Sequence, residues 1–204
     1  MVEAEYRYSA RMHPAAVRLL YYQNRAAAGN YGEALRLAAV NGGVPDVTAT
    51  RRNGTLKYGF GINFEQEITQ DVGIFGRLGW NDGKTESFAF TAIDRLATGG
   101  VSIAGTRWHR PFDTVATELT ASGISGIHAL YLARGGNDFL IGDGRLRYGP
   151  ERITETYYNA RLFPGFFAGF DLQRVSNPAY NQDRGPVWIP SLRLHIEIGR
   201  ETFR

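Results

Sequence analysis

The sequence predicts an all-β fold, one chain of antiparallel strands, and three observations carry that prediction. From Leu56 to Phe64 every second residue is large and apolar, namely Leu56, Tyr58, Phe60, Ile62 and Phe64, while Lys57, Gly59, Gly61 and Asn63 stand between them and Glu65 follows. A period of two is that of a strand. Turn residues punctuate the pattern: Thr69, Gln70 and Asp71 reverse the chain after Ile68. Val72, Ile74, Leu78 and Trp80 then resume the alternation against Gly73, Arg77 and Asn81, and Asn81, Asp82 and Gly83, which tolerate positive φ, turn it again. Nine such strands fit the chain, and the connections between them alternate between short and long.

Taken in order, Val2, Ala4, Tyr6, Tyr8 and Ala10 alternate with Glu3, Glu5, Arg7 and Ser9 in strand one. Arg11 to Ala15, with Pro14, is a turn. Strand two runs over about Ala16 to Arg25, where Arg18, Leu20, Tyr22 and Asn24 oppose Val17, Leu19, Tyr21 and Gln23, so its facing stays open. Residues 26 to 54 form a long connection with a helix-like segment from Tyr31 to Val40. After the central hairpin and a five-residue connection at 81 to 85, Glu86 to Thr106 reads as one long strand with a bulge near Thr98, Gly99 and Gly100. Arg107 to Asp113 turns the chain into a weaker strand from Thr114 to Ile124. Residues 125 to 150 form a second long loop, with a helical turn from His128 to Ala133. Glu151 to Leu162 and Phe166 to Ser176 pair around Pro164 and Gly165, Asn177 to Pro186 is a loop, and Val187 to Ile198 is the last strand.

The apolar face of these strands suits one of two solvents. In a soluble sandwich it packs on a second sheet, and in a membrane barrel it meets lipid while the polar face lines a wet lumen. Pattern alone leans to the sandwich, since soluble domains are commoner. The sorting of loops into short and long leans to the barrel. Composition decides little: among 204 residues, 25 glycines and 26 Phe, Tyr and Trp suit either sheet. No apolar run reaches the roughly 20 residues of a spanning helix. With no cysteine, disulfides and thiol chemistry are excluded, and a net charge of +3 with basic residues scattered among acidic ones gives no argument for a nucleic-acid partner, so none is expected.

Five stretches resemble the carbohydrate-selective porins of bacterial outer membranes, the OprB-type family: ATRRNGTLKYGFGINFEQEI from Ala49, GRLGWNDGKTESFAFT from Gly76, GTRWHRP from Gly105, FLIGDGRLRYGPE from Phe139 and NPAYNQDRGP from Asn177. The resemblance implies an antiparallel transmembrane β-barrel of about sixteen strands, of which this chain supplies about nine at the C-terminal end. It implies a single partial barrel domain over residues 1–204 with long outer loops near 26–54 and 125–150, passive diffusion of small sugars, no cofactor and no enzymatic step. Outer-membrane lipid, the missing N-terminal strands of the same barrel and a homotrimeric assembly are the further partners it implies. Strand one begins without the basic, apolar and small-residue segments of a signal peptide, so the chain is expected to be the C-terminal part of a longer one. The family's terminal strand commonly ends on an aromatic residue; here Ile198 stands there and Phe203 is out of phase.

Once lipid takes the apolar face, period two assigns the lumen. The candidates are Glu5 and Arg7 beside Glu3; Lys57, Asn63 and Glu65; Arg77 and Asn81; Glu155, Tyr157 and Arg161 beside Asn159; Asp171 and Gln173; and Arg193, His195 and Glu197. Guanidinium donors beside carboxylate acceptors can replace part of a sugar's hydration shell, and Tyr157 offers a flat surface to a pyranose face. The plain alternative for each is that it only keeps the lumen wet. Catalytic readings fail for want of a GxSxG elbow or HExxH spacing. His13, His109 and His128 read as turn or loop residues, and Asp138 and Asp143 as turn formers. Trp80, Trp108 and Trp188 sit near strand ends, where girdle aromatics belong.

Overall fold

The computed structural model of the protein describes residues 1–87 and 92–198. Its body is one antiparallel sheet in which every strand pairs with its sequence neighbours: β1 (Val2–Ala10), β2 (His13–Ala28), β3 (Arg52–Thr69), β4 (Val72–Asn81), β5 (Arg95–Ala104), β6 (Thr114–Gly123), β7 (Glu151–Phe163), β8 (Phe166–Ser176) and β9 (Val187–Ile196). Among the described residues no second sheet covers either face, so the sandwich alternative falls.

Pairing fixes what each face carries, because opposed residues in neighbouring strands point the same way. One line across the sheet reads Ala4, Leu19, Ile62, Leu78 and Ala97, and the next outward line reads Tyr6, Val17, Phe64, Gly76, Gly99 and Leu119. The inward line between them reads Glu5, Arg18, Asn63, Arg77, Thr98 and Thr120. Outward side chains are left bare: Leu19 is 52% exposed, Leu78 55%, Phe170 54% and Leu192 73%. An exposed apolar band of that extent has hydrocarbon as its solvent. Gly76 leaves room on this face for the Phe64 ring, which lies where a Cβ would stand. On the inner face Gly100 does the same for Phe75.

The two ends of the sheet differ. Arg11 and Met12, both at positive φ (52° and 66°), make a two-residue hairpin between β1 and β2; Gln70–Asp71, residues 105–113 and Pro164–Gly165 complete this end. At the other end lie residues 29–51, 82–94, 124–150 and 177–186. This asymmetry is stronger than the sequence suggests. The expected turn over Arg11 to Ala15 shrinks because β2 starts at His13 and runs to Ala28, well beyond the expected 16 to 25. His13 is therefore a strand residue.

The largest correction concerns Glu86 to Thr106. Among the described residues of this span only Arg95–Ala104 is strand, and its pairing runs unbroken on both sides through Thr98, Gly99 and Gly100, so no bulge interrupts it. The five-residue connection expected at 81 to 85 is instead a loop over 82–94, of which residues 88–91 lie outside those described. Its ends are held by Asn81, whose side chain donates to Ile93 O at 2.7 Å and accepts from Gly83 N at 2.9 Å. The expected reach of the last strand to Ile198 shortens to Ile196, and Phe203 lies outside the described residues.

The four long connections fold into one cap. Residues 29–51 contain α1 (Tyr31–Asn41), opened by Asn30, whose Oδ1 accepts from Glu33 N at 3.0 Å. Residues 124–150 contain α2 (Gly126–Ala133), opened by Ser125, whose Oγ accepts from His128 N at 3.1 Å. Tyr31, Val47, Ile124, Tyr131, Leu132 and Tyr180 make a core of their own. Bonds between loops lock it: the Tyr131 hydroxyl accepts from Val47 N at 3.2 Å, and the Tyr180 hydroxyl donates to Ala92 O at 2.6 Å. Glu86, almost wholly buried, accepts from both Gly29 N (2.7 Å) and the Arg51 guanidinium (2.7 and 2.8 Å), joining the first two loops.

Candidate functional site

The inner face divides into two regions by how its polar groups are used. Across β1 to β4 they are used on one another. Glu5 accepts from both Arg7 and Arg18, the second Arg18 nitrogen donates to Glu65 at 2.8 Å, and Arg77 donates to Asn63 at 2.6 Å. Arg18 stands at the centre of this ladder and is missing from the sequence candidates. Apolar residues of similar size fill both faces of strand two, and only pairing between Glu5 and Asn63 settles that Arg18 points inward.

Two candidates serve the cap. Lys57 Nζ donates to Thr85 O at 3.1 Å and Ser87 Oγ at 3.2 Å, so its ammonium holds the 82–94 loop over the inner face of β3. Asn81, buried, spends its amide on the same loop. Arg161 lies at the short-turn end of β7, stacked over the Phe112 ring at 4.3 Å, while its backbone N–H donates to Asp113 at 3.0 Å.

Across β7 to β9 the remaining candidates come together. Glu155, Tyr157, Asp171, Gln173, Arg193, His195 and Glu197 line one groove of about 560 Å³. Strand pairing places them there: Glu155 is opposite Gln173, Tyr157 opposite Asp171 and then Ser191, and Phe167 opposite His195. Gln173 donates to Glu155 at 2.9 Å, and His195 meets Glu197 at 3.2 Å. Glu155 and Asp171 approach each other, and Oδ1 of Asp171 is shielded from solvent without a donor. That oxygen, with no donor among the described residues, can accept from a hydroxyl brought from outside. Tyr157 and Arg193 are exposed to the groove. Phe167, which no alternation argument singled out, adds a second aromatic surface.

Above the lumen the cap holds a buried charged knot. The His128 ring lies between two carboxylates, with Nδ1 3.2 Å from Asp94 Oδ2 and Nε2 3.1 Å from Asp138 Oδ2, and all three side chains are no more than 2% exposed. The Tyr31 ring stacks on the imidazole at 4.1 Å and its hydroxyl donates to Asp138 at 2.7 Å; Ser125 N donates to Asp94 at 2.8 Å. Burial opposes the charged imidazole, but its bonds to Asp138 and Asp94 outweigh burial and raise its pKa. For both carboxyls burial again pushes the other way, yet the bond from His128 leaves each below its ordinary value. His128 is thus a helix residue in the cap core, and Asp138 is its partner. His128 is therefore not the turn or loop residue that the sequence suggests, and Asp138, though in a loop, turns its carboxylate into the cap core.

Such an inner face can bind and release by hydrogen bonding and stacking. Among the described residues no three His, Cys, Asp or Glu side chains are grouped to hold a metal.

The model of the carbohydrate-selective porin, OprB family, matches residues 1–198. No curated protein matches the chain. A solved structure of Pseudomonas putida OprB, described as a high-pH structure, superposes with a TM-score of 0.76 at 16% identity, covering 95% of this chain and 47% of that one. The chain therefore spans about half the length of the solved protein it matches, and the shared fold is that of a partial β-barrel. The family match covers every described residue, and the chain belongs to the OprB family of carbohydrate-selective porins, proteins of the bacterial outer membrane.

Proposed function

We propose that the chain is the C-terminal part of an outer-membrane barrel through which small carbohydrates diffuse passively, with selectivity and without a covalent step. One observation carries the reading: the groups lining the β7 to β9 groove include a guanidinium, a shielded carboxylate oxygen and a tyrosine face not consumed by one another. Sugar hydroxyls donate and accept, so they suit such a wall. Affinity stays weak, as a channel site must release what it admits, and a millimolar site corresponds to about 4 kcal/mol.

β1 and β9 each pair on one side only among the described residues. An open edge in lipid costs several kcal/mol per unpaired group, so the barrel is closed by further strands of the same protein, about seven in a barrel of about sixteen. Residues 1–204 then form one partial barrel domain. Lipid meets the outer band, and trimerisation is the assembly to look for in the native membrane.

In a planar bilayer holding the complete protein, small sugars should reduce the ion current. Arg77→Ala removes the donor to Asn63 and should weaken that block by about two- to ten-fold. Unchanged block at unchanged expression would take Arg77 out of the sugar path.

A further inference from the structure

Where the register is unbroken, the outward positions of all nine strands carry four charged side chains, and all four are arginines: Arg25, Arg95, Arg152 and Arg174. Not one outward carboxylate accompanies them. All four also stand at the long-loop end of their strands. Mixed charge on the inner face makes this one-signed rim a property of the outer surface alone. Arg95 is committed, since its guanidinium bonds Asn81 O at 2.5 Å and Asp94 O at 2.7 Å and lies over Trp80. Arg152 and Arg174 are exposed, and Arg152 has no partner among the described residues. Arg174 touches Ser176 Oγ at 3.0 Å and leans toward the Trp188 ring at 6.0 Å.

Arg152 stands opposite Ser176 and Arg174 opposite Thr154, so the two arginines are diagonal neighbours, about 7–8 Å apart at their origins. Beside them, across β5 to β7, the outward face is hollow. Ala97, Leu119, Ala121 and Thr154, with the two arginines at its mouth, line a groove of about 540 Å³. Ala97 and Ala121 share a line across the sheet with Arg152, and Leu119 and Thr154 share the next with Arg174, so the groove runs across the strands from the arginine pair, with alanine and leucine side chains on its far side and Ser176 and Asn177 beside the arginines. An arginine is tolerated at this height because the cost of a charge falls toward the interface. A guanidinium pair grips phosphate in bidentate fashion.

We propose that Arg152 and Arg174 bind the phosphate group of an anionic lipid of the outer leaflet, with the start of one acyl chain resting against Ala97, Leu119 and Ala121 beside them. This rests on the outer-membrane reading. The measurement uses the complete protein, purified in a neutral detergent and shown to conduct in a bilayer, so that failure of that reading is seen separately. Retention of a bis-phosphorylated disaccharide lipid (lipid A) is then followed by native mass spectrometry, beside the same lipid freed of phosphate. The wild-type protein should retain the phosphorylated lipid about ten-fold better than the phosphate-free one, with the preference fading as salt rises. Arg152→Gln with Arg174→Gln should abolish the preference while leaving conduction intact. Equal retention of both lipids by the wild-type protein would overturn the proposal without recourse to any variant. So would equal retention of the phosphorylated lipid by the conducting double variant. Displacement of the lipid by millimolar inorganic phosphate would assign the pair to a free anion and likewise overturn it.

Discussion

Replacing His128 with leucine is expected to loosen the outer cap by about 3–5 kcal/mol, the cost of leaving a buried charge unpaired. The imidazolium is the cation between Asp94 and Asp138, and with it gone two carboxylates at most 2% exposed face each other across an apolar side chain. The cap joins loops far apart in sequence, so losing the knot should release residues 124–150 as a unit. Limited proteolysis of the complete protein in membranes should cut that loop in the variant and spare it in the wild type. Adding Asp94→Asn and Asp138→Asn to the leucine variant should restore much of the protection, since the unpaired charges are then gone.

The same knot sets a pH window. His128 titrates above its ordinary 6.5, so its contribution is complete below 6.5 and is lost as pH rises through the raised value. Asp94 and Asp138 titrate below 3.8, so theirs is complete above 3.8 and is lost as pH falls through the lowered values. Protection of the cap should therefore be greatest between these limits and decline on the alkaline side in the wild-type protein. The triple variant, with no titrating group left in the knot, should show no such decline. Protection that stays flat from neutral to alkaline pH in the wild type would show that His128 carries no charge there.

Tyr157→Ala combined with Arg193→Ala is expected to raise the sugar concentration for half-block of the current about ten-fold, with the open-channel current kept or increased. Arg193 is exposed in the groove and faces Gly169, whose missing side chain leaves the guanidinium uncovered. Tyr157 is 38% exposed beside it. Truncating the pair removes a stacking face and a forked donor and buries nothing unpaired, so folding should be unaffected and the change should appear in sugar block alone. A block as strong as that of the wild type would take the β7 to β9 groove out of the sugar path.

How much of this could be read from residues follows from the range of the interactions involved. Alternation at Leu56 to Phe64 is local, and it placed Lys57, Asn63 and Glu65 on one face, where the register also puts them. The same rule brought Glu155, Asp171 and Arg193 onto the inner face of neighbouring strands. Strand two resisted because Leu20 and Tyr22 are as bulky as Leu19 and Tyr21, and the deciding partners of Arg18 lie 13 and 47 residues away. Glu86 to Thr106 was misread because apolar spacing continues through Phe88, Phe90 and Ile93. Asp94, whose 2% exposure marks a committed carboxylate, answers to His128 34 residues on. The cap was illegible for the same reason: Gly and Asp in the 135–144 segment look like turn formers, and nothing local says that Asp138 turns inward.

Neighbouring residues of one strand meet opposite solvents, hydrocarbon outside and water inside. These 204 residues hold no cysteine, so Arg77→Cys and Leu78→Cys, made singly in the complete protein with any cysteine elsewhere replaced by serine and each carrying a nitroxide spin label, measure this directly in bilayers. Collision with dissolved oxygen, which concentrates in hydrocarbon, should dominate at 78, and collision with a water-soluble nickel chelate should dominate at 77. The same alternation should recur at Arg193 and Leu192. Equal access of the nickel chelate to both members of each pair would contradict the lipid-facing band and, with it, the pore.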